Sequence, residues 1–163
     1  SMPEPRWPAS PSTIQPHLTA YYRALESLTA VILRGLALAL KLPLTWFDER
    51  LKQHAFTLRC LNYPELQHSP LEGQMRAGAH TDYDTITLLR ADDAPGGLEI
   101  FLDGQWTPVK VPQDGFVVNL GDLMQRWTND MWKSTLHRVV PPPSGYTGPT
   151  RRQSVAYFGA LSP

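Results

Sequence analysis

The chain has 163 residues, a length typical of a single domain. Its 15 lysine and arginine residues balance 15 aspartate and glutamate residues, which excludes the strongly basic surface of a nucleic-acid-binding or anionic-membrane-binding protein. Hydrophobic residues make up 42% of the chain, enough for a folded core and too many for a disordered protein. We therefore expect neither a nucleic acid nor a membrane as a partner.

Cysteine content and N-terminal composition favour a reducing compartment. The single cysteine, Cys60, excludes an internal disulfide. The first residues lack the basic and apolar regions of a secretory signal. The most apolar stretch, residues 28–44, contains Arg34 and Lys41 and is too short to span a membrane. These features predict a cytoplasmic protein.

The N-terminal third of the chain predicts helices. Residues 1–16 contain five prolines and predict an extended lead-in. Residues 17–41 carry apolar side chains at helical spacing without an internal proline, which predicts one long helix. Thr45, followed three residues later by Asp48, is typical of a capping box and predicts a short second helix. We assign residues 17–54 to a helical segment.

Residues 55–160 have the pattern of a β core. Short β-branched or aromatic runs alternate with turn residues, and Asp103-Gly104 is typical of a two-residue hairpin. Seven strands are predicted, at residues 55–63, 85–90, 98–102, 105–111, 116–120, 134–140 and 153–158. Helices followed by strands without βαβ alternation predict an α+β fold with an antiparallel barrel or jelly roll.

Two side chains of the His80-Thr81-Asp82 segment are candidate metal ligands. On an extended backbone, residues i and i+2 point the same way, so His80 and Asp82 can converge. A second histidine would complete the facial triad of non-haem Fe(II) proteins. His137 is the only remaining histidine inside a predicted strand, which makes it the third candidate. A His-x-Asp pair alone also fits a surface histidine accepting a turn hydrogen bond.

The last predicted strand carries a second polar pair. Arg152 and Ser154 share one face of that strand, and together they suit a planar carboxylate. The alternative for Arg152 is a surface charge. Apolar Val155, Tyr157 and Phe158 favour a core strand instead, where an unpaired arginine would be costly.

These residues and their surroundings resemble a known family. The spacing of His80-x-Asp82, His137 and Arg152-x-Ser154 is similar to that of the Fe(II)/2-oxoglutarate-dependent dioxygenases of the isopenicillin N synthase-like group. Further similar segments are residues 78–82, 96–100, 119–122, 126–129 and 134–139. The resemblance extends from about Trp7 to Phe158.

The resemblance implies a fold and a metal centre. The fold would be a double-stranded β-helix, a jelly-roll and cupin-like architecture, preceded here by the long and the short helix, in one catalytic domain over residues 1–163. Fe(II) would be held by His80, Asp82 and His137, with no catalytic residue beyond these ligands. Family members are about twice as long, so their N-terminal region is expected to be absent from this chain.

The resemblance also implies a co-substrate. 2-Oxoglutarate would chelate the iron, and its distal carboxylate would pair with Arg152 and Ser154. Tyr63, before Pro64, matches the tyrosine that touches this carboxylate in the family's Asn-Tyr-Tyr-Pro stretch, whereas Leu61 replaces the family's asparagine. The implied reaction uses O2, with ascorbate as an activator, and hydroxylates or desaturates a small-molecule substrate with release of succinate and CO2.

The sequence is also compatible with two other functions, and it offers three candidate substrate contacts. One alternative is an iron oxidase of the same fold that uses no oxo-acid, and another is a non-catalytic metal-binding or scaffold domain. Strand parity makes Arg76 and Phe158 candidate substrate-lining residues, and Tyr83 is a third because it adjoins the metal motif. Asp122, after Gly121, is predicted to be a turn residue.

Overall fold

The computed structural model describes residues 6–52 and 54–161, and the chain divides into two compact units, residues 1–53 and 54–163. The start of the predicted lead-in, residues 1–5, lies outside the described residues. Residues 6–13 contain no helix or strand. Among the described residues, no helix combines the length and the hydropathy that a membrane span requires.

The first unit contains two helices, α1 (Ile14–Ala39) and α2 (Asp48–Leu51). Helix α1 begins three residues before its predicted start, because Pro16 falls in the first turn, where an amide hydrogen has no intrahelical acceptor. Its buried residues recur every four positions and define one face: Leu25, Thr29, Leu33 and Ala37. The helix ends before Lys41, which has a φ of 57°.

The predicted capping box of α2 does not form. Phe47 occupies the N-cap position, and Thr45 instead accepts a hydrogen bond from the Asp48 amide through its backbone carbonyl, at 3.0 Å. The Asp48 carboxylate lies 2.9 Å from a guanidinium nitrogen of Arg34. A turn before the helix, together with this ion pair, therefore replaces the side-chain cap.

The second unit contains two four-stranded antiparallel sheets, with strand orders β1-β8-β3-β6 and β2-β7-β4-β5. Along the chain, strands alternate between the sheets except for the hairpin β4–β5, so each sheet is assembled from distant segments. The strands are β1 (Thr57–Tyr63), β2 (Ala77–His80), β3 (Ile86–Ala91), β4 (Gly97–Leu102), β5 (Gln105–Pro108), β6 (Val117–Leu120), β7 (His137–Val140) and β8 (Arg152–Gly159).

Two short elements differ from the sequence prediction. Strand β2 was not among the seven predicted strands, although its last residue, His80, belongs to the segment expected to be extended. Asp122 does not lie in a turn but begins helix α3 (Asp122–Trp127). Both elements are four to six residues long, too short for hydrophobic periodicity to identify.

The predicted Asp103-Gly104 hairpin is confirmed. These two residues connect β4 to β5, and their φ values are 50° and 83°. Both values are positive, as in the type I′ turn whose twist matches that of antiparallel strands. A Cβ at Gly104 would meet no atom within 4 Å, so its role is conformational.

We expect Gly104→Ala to lower the free energy of unfolding by about 1 kcal/mol, because the left-handed backbone is costly for any residue with a Cβ. Urea denaturation followed by circular dichroism would measure this change. Gly35→Ala is the matched control: Gly35 is exposed in α1, a Cβ there would meet no atom within 4 Å, and the helix should gain stability from the same change. A hairpin variant as stable as the parent would contradict the assigned role.

Candidate metal centre

Three predicted ligands converge at one end of the sheets. His80 is the last residue of β2 and His137 the first of β7, and the two are paired across these strands with their ring centroids 4.3 Å apart. Asp82 follows β2, and its carboxylate Oδ1 lies 3.6 Å from Nε2 of His137. One ligand atom from each of the three residues lies within 4.8 Å of the others, which is compatible with a single metal ion.

Backbone hydrogen bonds set the tautomer of both histidines. Nδ1 of His80 lies 2.7 Å from the carbonyl oxygen of Gly78, and Nδ1 of His137 lies 2.9 Å from that of Thr135. A carbonyl oxygen can only accept, so Nδ1 must carry the proton in each ring. Nε2 is then left with its lone pair, as a metal ligand requires.

The carboxylate of Asp82 is held by one oxygen. Oδ2 accepts hydrogen bonds from Oγ1 of Thr87 and from Nδ2 of Asn119, both at 2.7 Å. The other oxygen, Oδ1, faces His137. Because Asp82 is only 7% exposed, these two donors compensate for the solvation that the carboxylate loses on burial. The arrangement leaves one oriented oxygen for a metal.

The first turn of α3 fixes the loop that carries Asp82. The amide of Asp122 donates to the carbonyl of Asp82 at 2.7 Å, and the amide of Gly121 donates to that of Thr85 at 3.2 Å. A Cβ at Gly121 would lie 2.1 Å from the carbonyl oxygen of Asp84, so only glycine permits this approach. The Gly121-Asp122 segment therefore fixes the backbone that carries the candidate ligand Asp82.

A cavity of about 350 Å³ lies between the two sheets and includes the three candidate ligands. Inward-facing residues alternate along the strands, in agreement with the pleat. Besides the ligands, the lining includes Arg59, Leu61 and Tyr63 from β1, Thr87 and Leu89 from β3, Leu98 and Ile100 from β4, Val117 and Asn119 from β6, Val139 from β7, and Arg152, Ser154, Ala156 and Phe158 from β8.

The polar pair of β8 lies in the same cavity. Arg152 is 3% exposed, and its Nη1 lies 3.5 Å from Oγ of Ser154. Tyr63 is its cross-strand partner on β1, with the guanidinium carbon 5.4 Å from the ring centroid. Among the described residues, no carboxylate lies within ion-pair distance of Arg152. A buried guanidinium without an anion is costly, which makes Arg152, with Ser154 and Tyr63 beside it, a candidate anion-binding group.

Gly97 lies beside the Arg152 side chain in a backbone conformation that favours glycine. Its φ is 111°, and a Cβ there would lie 3.5 Å from Nε of Arg152. The preceding Gly96 has a φ of 78°, and its Cβ would lie 2.6 Å from the carbonyl carbon of Pro141. The Gly96-Gly97 pair thus brings β4 close to both the cationic side chain and the loop after β7.

The three predicted substrate-lining residues have different positions. Phe158 lines the cavity, in accordance with its strand parity. Tyr83 is 85% exposed and is not among the lining residues. Its neighbour Asp84 is partly buried. Burial raises the pKa of the Asp84 carboxyl, and the negative charge of Asp82 is a second, smaller cause of the same shift.

Arg76 is also absent from the cavity lining. It precedes β2, and its Nη2 donates to the carbonyl of Thr150, which lies just before β8. Counting back from His80 and Asp82 puts Arg76 on the same face only if the backbone alternates regularly, but the pairing of β2 with β7 shifts register between Ala77 and His80. The irregularity breaks the simple alternation on which the expectation depended.

Sequence reasoning missed three polar residues of the site. Thr87 and Asn119 hold the Asp82 carboxylate, and Arg59 lines the cavity with its guanidinium carbon 5.3 Å from the ring centroid of Phe158. A signal was available for two of them: Arg59 is four residues before Tyr63 on the same strand face, and Asn119 opens one of the family-like segments.

The segment that contains these residues matches a known protein family. Residues 53–160 match the model of the 2OG-Fe(II) oxygenase superfamily, and the chain belongs to this family. It is 37% identical over 155 residues to the 2-oxoglutarate-dependent dioxygenase htyE of Aspergillus rugulosus, covering 89% of this chain and 46% of that protein. It is 34% identical over 165 residues to validamycin A dioxygenase of Streptomyces hygroscopicus subsp. limoneus, covering 99% and 45%.

Solved structures give the same result. The crystal structure of a full-length Neurospora crassa protein in complex with alpha-KG superposes with a TM-score of 0.86 at 34% identity, covering 96% of this chain and 52% of that chain. Another structure of the Neurospora protein contains alpha-KG and thymine. The chain therefore spans about half the length of the relatives that it matches.

We expect Thr87→Val to weaken divalent metal binding roughly tenfold, because hydrogen bonds from residues behind the ligands orient ligating carboxylates. Anaerobic titration with Fe(II), or with Co(II) as a spectroscopic substitute, would measure the dissociation constant. Thr57→Val is the matched control, since Thr57 is exposed at the start of β1 and outside the cavity. Equal metal affinity in both variants would contradict the role of the Thr87 hydroxyl.

Proposed function

We propose that this chain is the catalytic portion of an Fe(II)- and 2-oxoglutarate-dependent oxygenase. It oxidises a small-molecule substrate by hydroxylation or desaturation, with release of succinate and CO2. One observation carries the proposal: His80, Asp82 and His137 meet in the same cavity as Arg152. Arg152 is buried, and among the described residues no carboxylate lies within ion-pair distance of it. Membership of the 2OG-Fe(II) oxygenase superfamily supports it.

The donor set fits Fe(II). Two imidazoles with free Nε2 atoms and one carboxylate oxygen form a two-histidine, one-carboxylate set, which leaves coordination positions open for other ligands. Fe(II) bound there, together with 2-oxoglutarate and O2, supplies the oxidising chemistry. Ascorbate would act as an activator. The protein holds the ligand atoms through Thr87, Asn119 and two backbone carbonyls.

The end of the cavity that contains Arg152 and Ser154, away from the candidate metal ligands, fits the distal carboxylate of 2-oxoglutarate. Arg152 offers two parallel N–H donors, and Ser154 offers a hydroxyl on the same strand face. Tyr63 is positioned beside them by the β1–β8 pairing. Leu61, where the family has asparagine, contributes an apolar wall to the cavity. A dicarboxylate bound between the metal and the guanidinium would contact groups from both sheets.

The part of the cavity wall formed by Phe158 and Arg59 is proposed to contact the substrate. Phe158 supplies an aromatic face and Arg59 a guanidinium group next to it, and both line the cavity. The relatives named above include a validamycin A dioxygenase and a protein crystallised with thymine, which supports a small-molecule substrate here. Tyr83 is left out of this wall because of its exposure.

Two architectural proposals accompany this function. The alternation of strands between the sheets, together with the likeness to 2OG-Fe(II) oxygenase structures, supports a double-stranded β-helix of the jelly-roll type. The helical residues 17–54 and the β core 55–160 would then form one catalytic domain. A cytoplasmic location remains a prediction from the sequence.

Succinate formation tests the proposal directly. The chain, supplied with Fe(II), 2-oxoglutarate, O2 and ascorbate, should form succinate, and members of a metabolite library that are substrates should accelerate it. His137→Ala should abolish this activity because it removes one ligand of the triad. His68→Ala is the control, since His68 is exposed in a loop away from the cluster.

The result separates the alternatives. Substrate oxidation without succinate would instead establish an oxidase that uses no oxo-acid. Metal binding without either product, across the library, would establish a non-catalytic domain. Succinate formed equally well by the His137→Ala variant would refute the metal assignment.

We expect Arg152→Lys to weaken 2-oxoglutarate binding about 30-fold or more, because losing a buried charge-assisted pair costs about 2–5 kcal/mol. Lysine keeps the charge but loses the planar fork. Calorimetric titration of the Mn(II)-loaded protein would measure the effect, and metal affinity should stay unchanged. Arg151→Lys, at the exposed neighbouring residue, is the control. Unchanged oxo-acid affinity in Arg152→Lys would place the co-substrate elsewhere.

A further inference from the structure

Arg76 is a partly buried cation with most of its hydrogen-bonding capacity unused. Its backbone amide joins the β2–β7 edge by donating to Val139 at 2.8 Å. Its Nη2 donates to the carbonyl of Thr150, whereas Nε and Nη1 are buried without a hydrogen-bond partner. A guanidinium in this state has lost water without gaining an anion.

A second cation lies nearby. The guanidinium carbon of Arg76 is 5.6 Å from the ring centroid of Tyr63, and that of Arg152 is 5.4 Å from the same centroid. Burial lowers the pKa of Arg76, and the like charge of Arg152 lowers it further. Within the described part of the chain, no carboxylate is within ion-pair distance of either arginine. Both charges therefore lie beside the Tyr63 ring, and neither has a carboxylate in direct contact.

Two acidic side chains act on Arg76 only from a distance. The charges of Glu65 and Asp92 favour its protonated form, but both carboxylates are engaged by other groups. Glu65 accepts hydrogen bonds from the amide and hydroxyl of Thr150 and from the amide of Arg151, at 2.7–2.8 Å. Asp92 accepts from two backbone amides. Neither of these two carboxylates is shown within ion-pair distance of Arg76 in the described part of the chain, so an external anion could be its partner.

We propose that Arg76 is a positioning residue that supplies the second positive charge of the carboxylate subsite formed by Arg152, Ser154 and Tyr63. This inference rests on the proposed function and extends it. Arg76 does not line the cavity, but a charge in a low-dielectric interior acts over several ångströms. Its field strengthens binding of an oxo-acid that carries a second carboxylate and leaves a monocarboxylic oxo-acid unaffected. Arg76 thereby selects the co-substrate class.

The like-charge pair has a second consequence. Arg76 and Arg152 repel each other in the protein without oxo-acid. This repulsion is relieved when an anion binds close to both. Removing the Arg76 charge should therefore leave the free protein equally or more heat-stable while weakening the bound state. A purely structural role, through the hydrogen bond to Thr150, would instead reduce the stability of the free protein.

The test compares Arg76→Met and Arg76→Lys, both loaded with inert Mn(II) so that no turnover occurs. We expect Arg76→Met to raise the dissociation constant of 2-oxoglutarate about tenfold. The constant for 2-oxopentanoate, which has the same carbon chain without the distal carboxylate, should be unchanged. Arg76→Lys, which keeps the charge, should restore most of the 2-oxoglutarate affinity. Arg151→Met, removing an exposed charge from the adjacent segment, is the matched control.

Thermal unfolding of each variant, with and without 2-oxoglutarate, completes the test. The midpoint of free Arg76→Met should equal or exceed that of the parent, and its gain on adding 2-oxoglutarate should be smaller. Unchanged 2-oxoglutarate affinity in Arg76→Met, an equal loss for both oxo-acids, or a lower midpoint of the free variant would overturn the inference. Absence of 2-oxoglutarate binding to the parent chain would overturn the proposed function itself.

Discussion

The buried carboxylate of Asp82 is the group on which the organisation of this unit depends. It is stable in that position only because Thr87 on β3 and Asn119 on β6 donate to one of its oxygens, and because the first turn of α3 fixes its backbone. Those strands belong to one sheet, whereas His137 belongs to the other. The candidate metal ligands therefore come together only when both sheets are correctly assembled.

The cavity has two chemically different ends, which is the basis for proposing a dicarboxylic oxo-acid as its ligand. The candidate metal ligands come from the β2–β7 side, and Arg152 comes from β8, an inner strand of the opposite sheet. A ligand joining both ends would cross-link the sheets and stabilise the fold by mass action. The second guanidinium, Arg76, extends the cationic end beyond the groups that touch the cavity.

Glycines permit the close approaches that this arrangement needs. Gly121 allows α3 to approach the Asp82 loop, and Gly96 allows β4 to approach the loop after β7. In each case the requirement comes from a segment distant in sequence, so no local pattern reveals it. Both glycines lie in family-like segments of the sequence, residues 96–100 and 119–122, but those segments do not indicate what the glycines contact.

The sequence by itself predicted the candidate site residues and most of the local elements. The His80-x-Asp82 pair, the Arg152-x-Ser154 pair and the Asp103-Gly104 turn depend on strand parity and backbone conformation, which are encoded within a few residues. Only the tertiary structure decided the donors to Asp82, the place of Arg59 in the cavity lining, the exposure of Tyr83 and the position of Arg76 outside that lining, beside Tyr63. Strand pairing and a register shift bring those groups together or apart, and both are set by contacts between residues far apart in the chain.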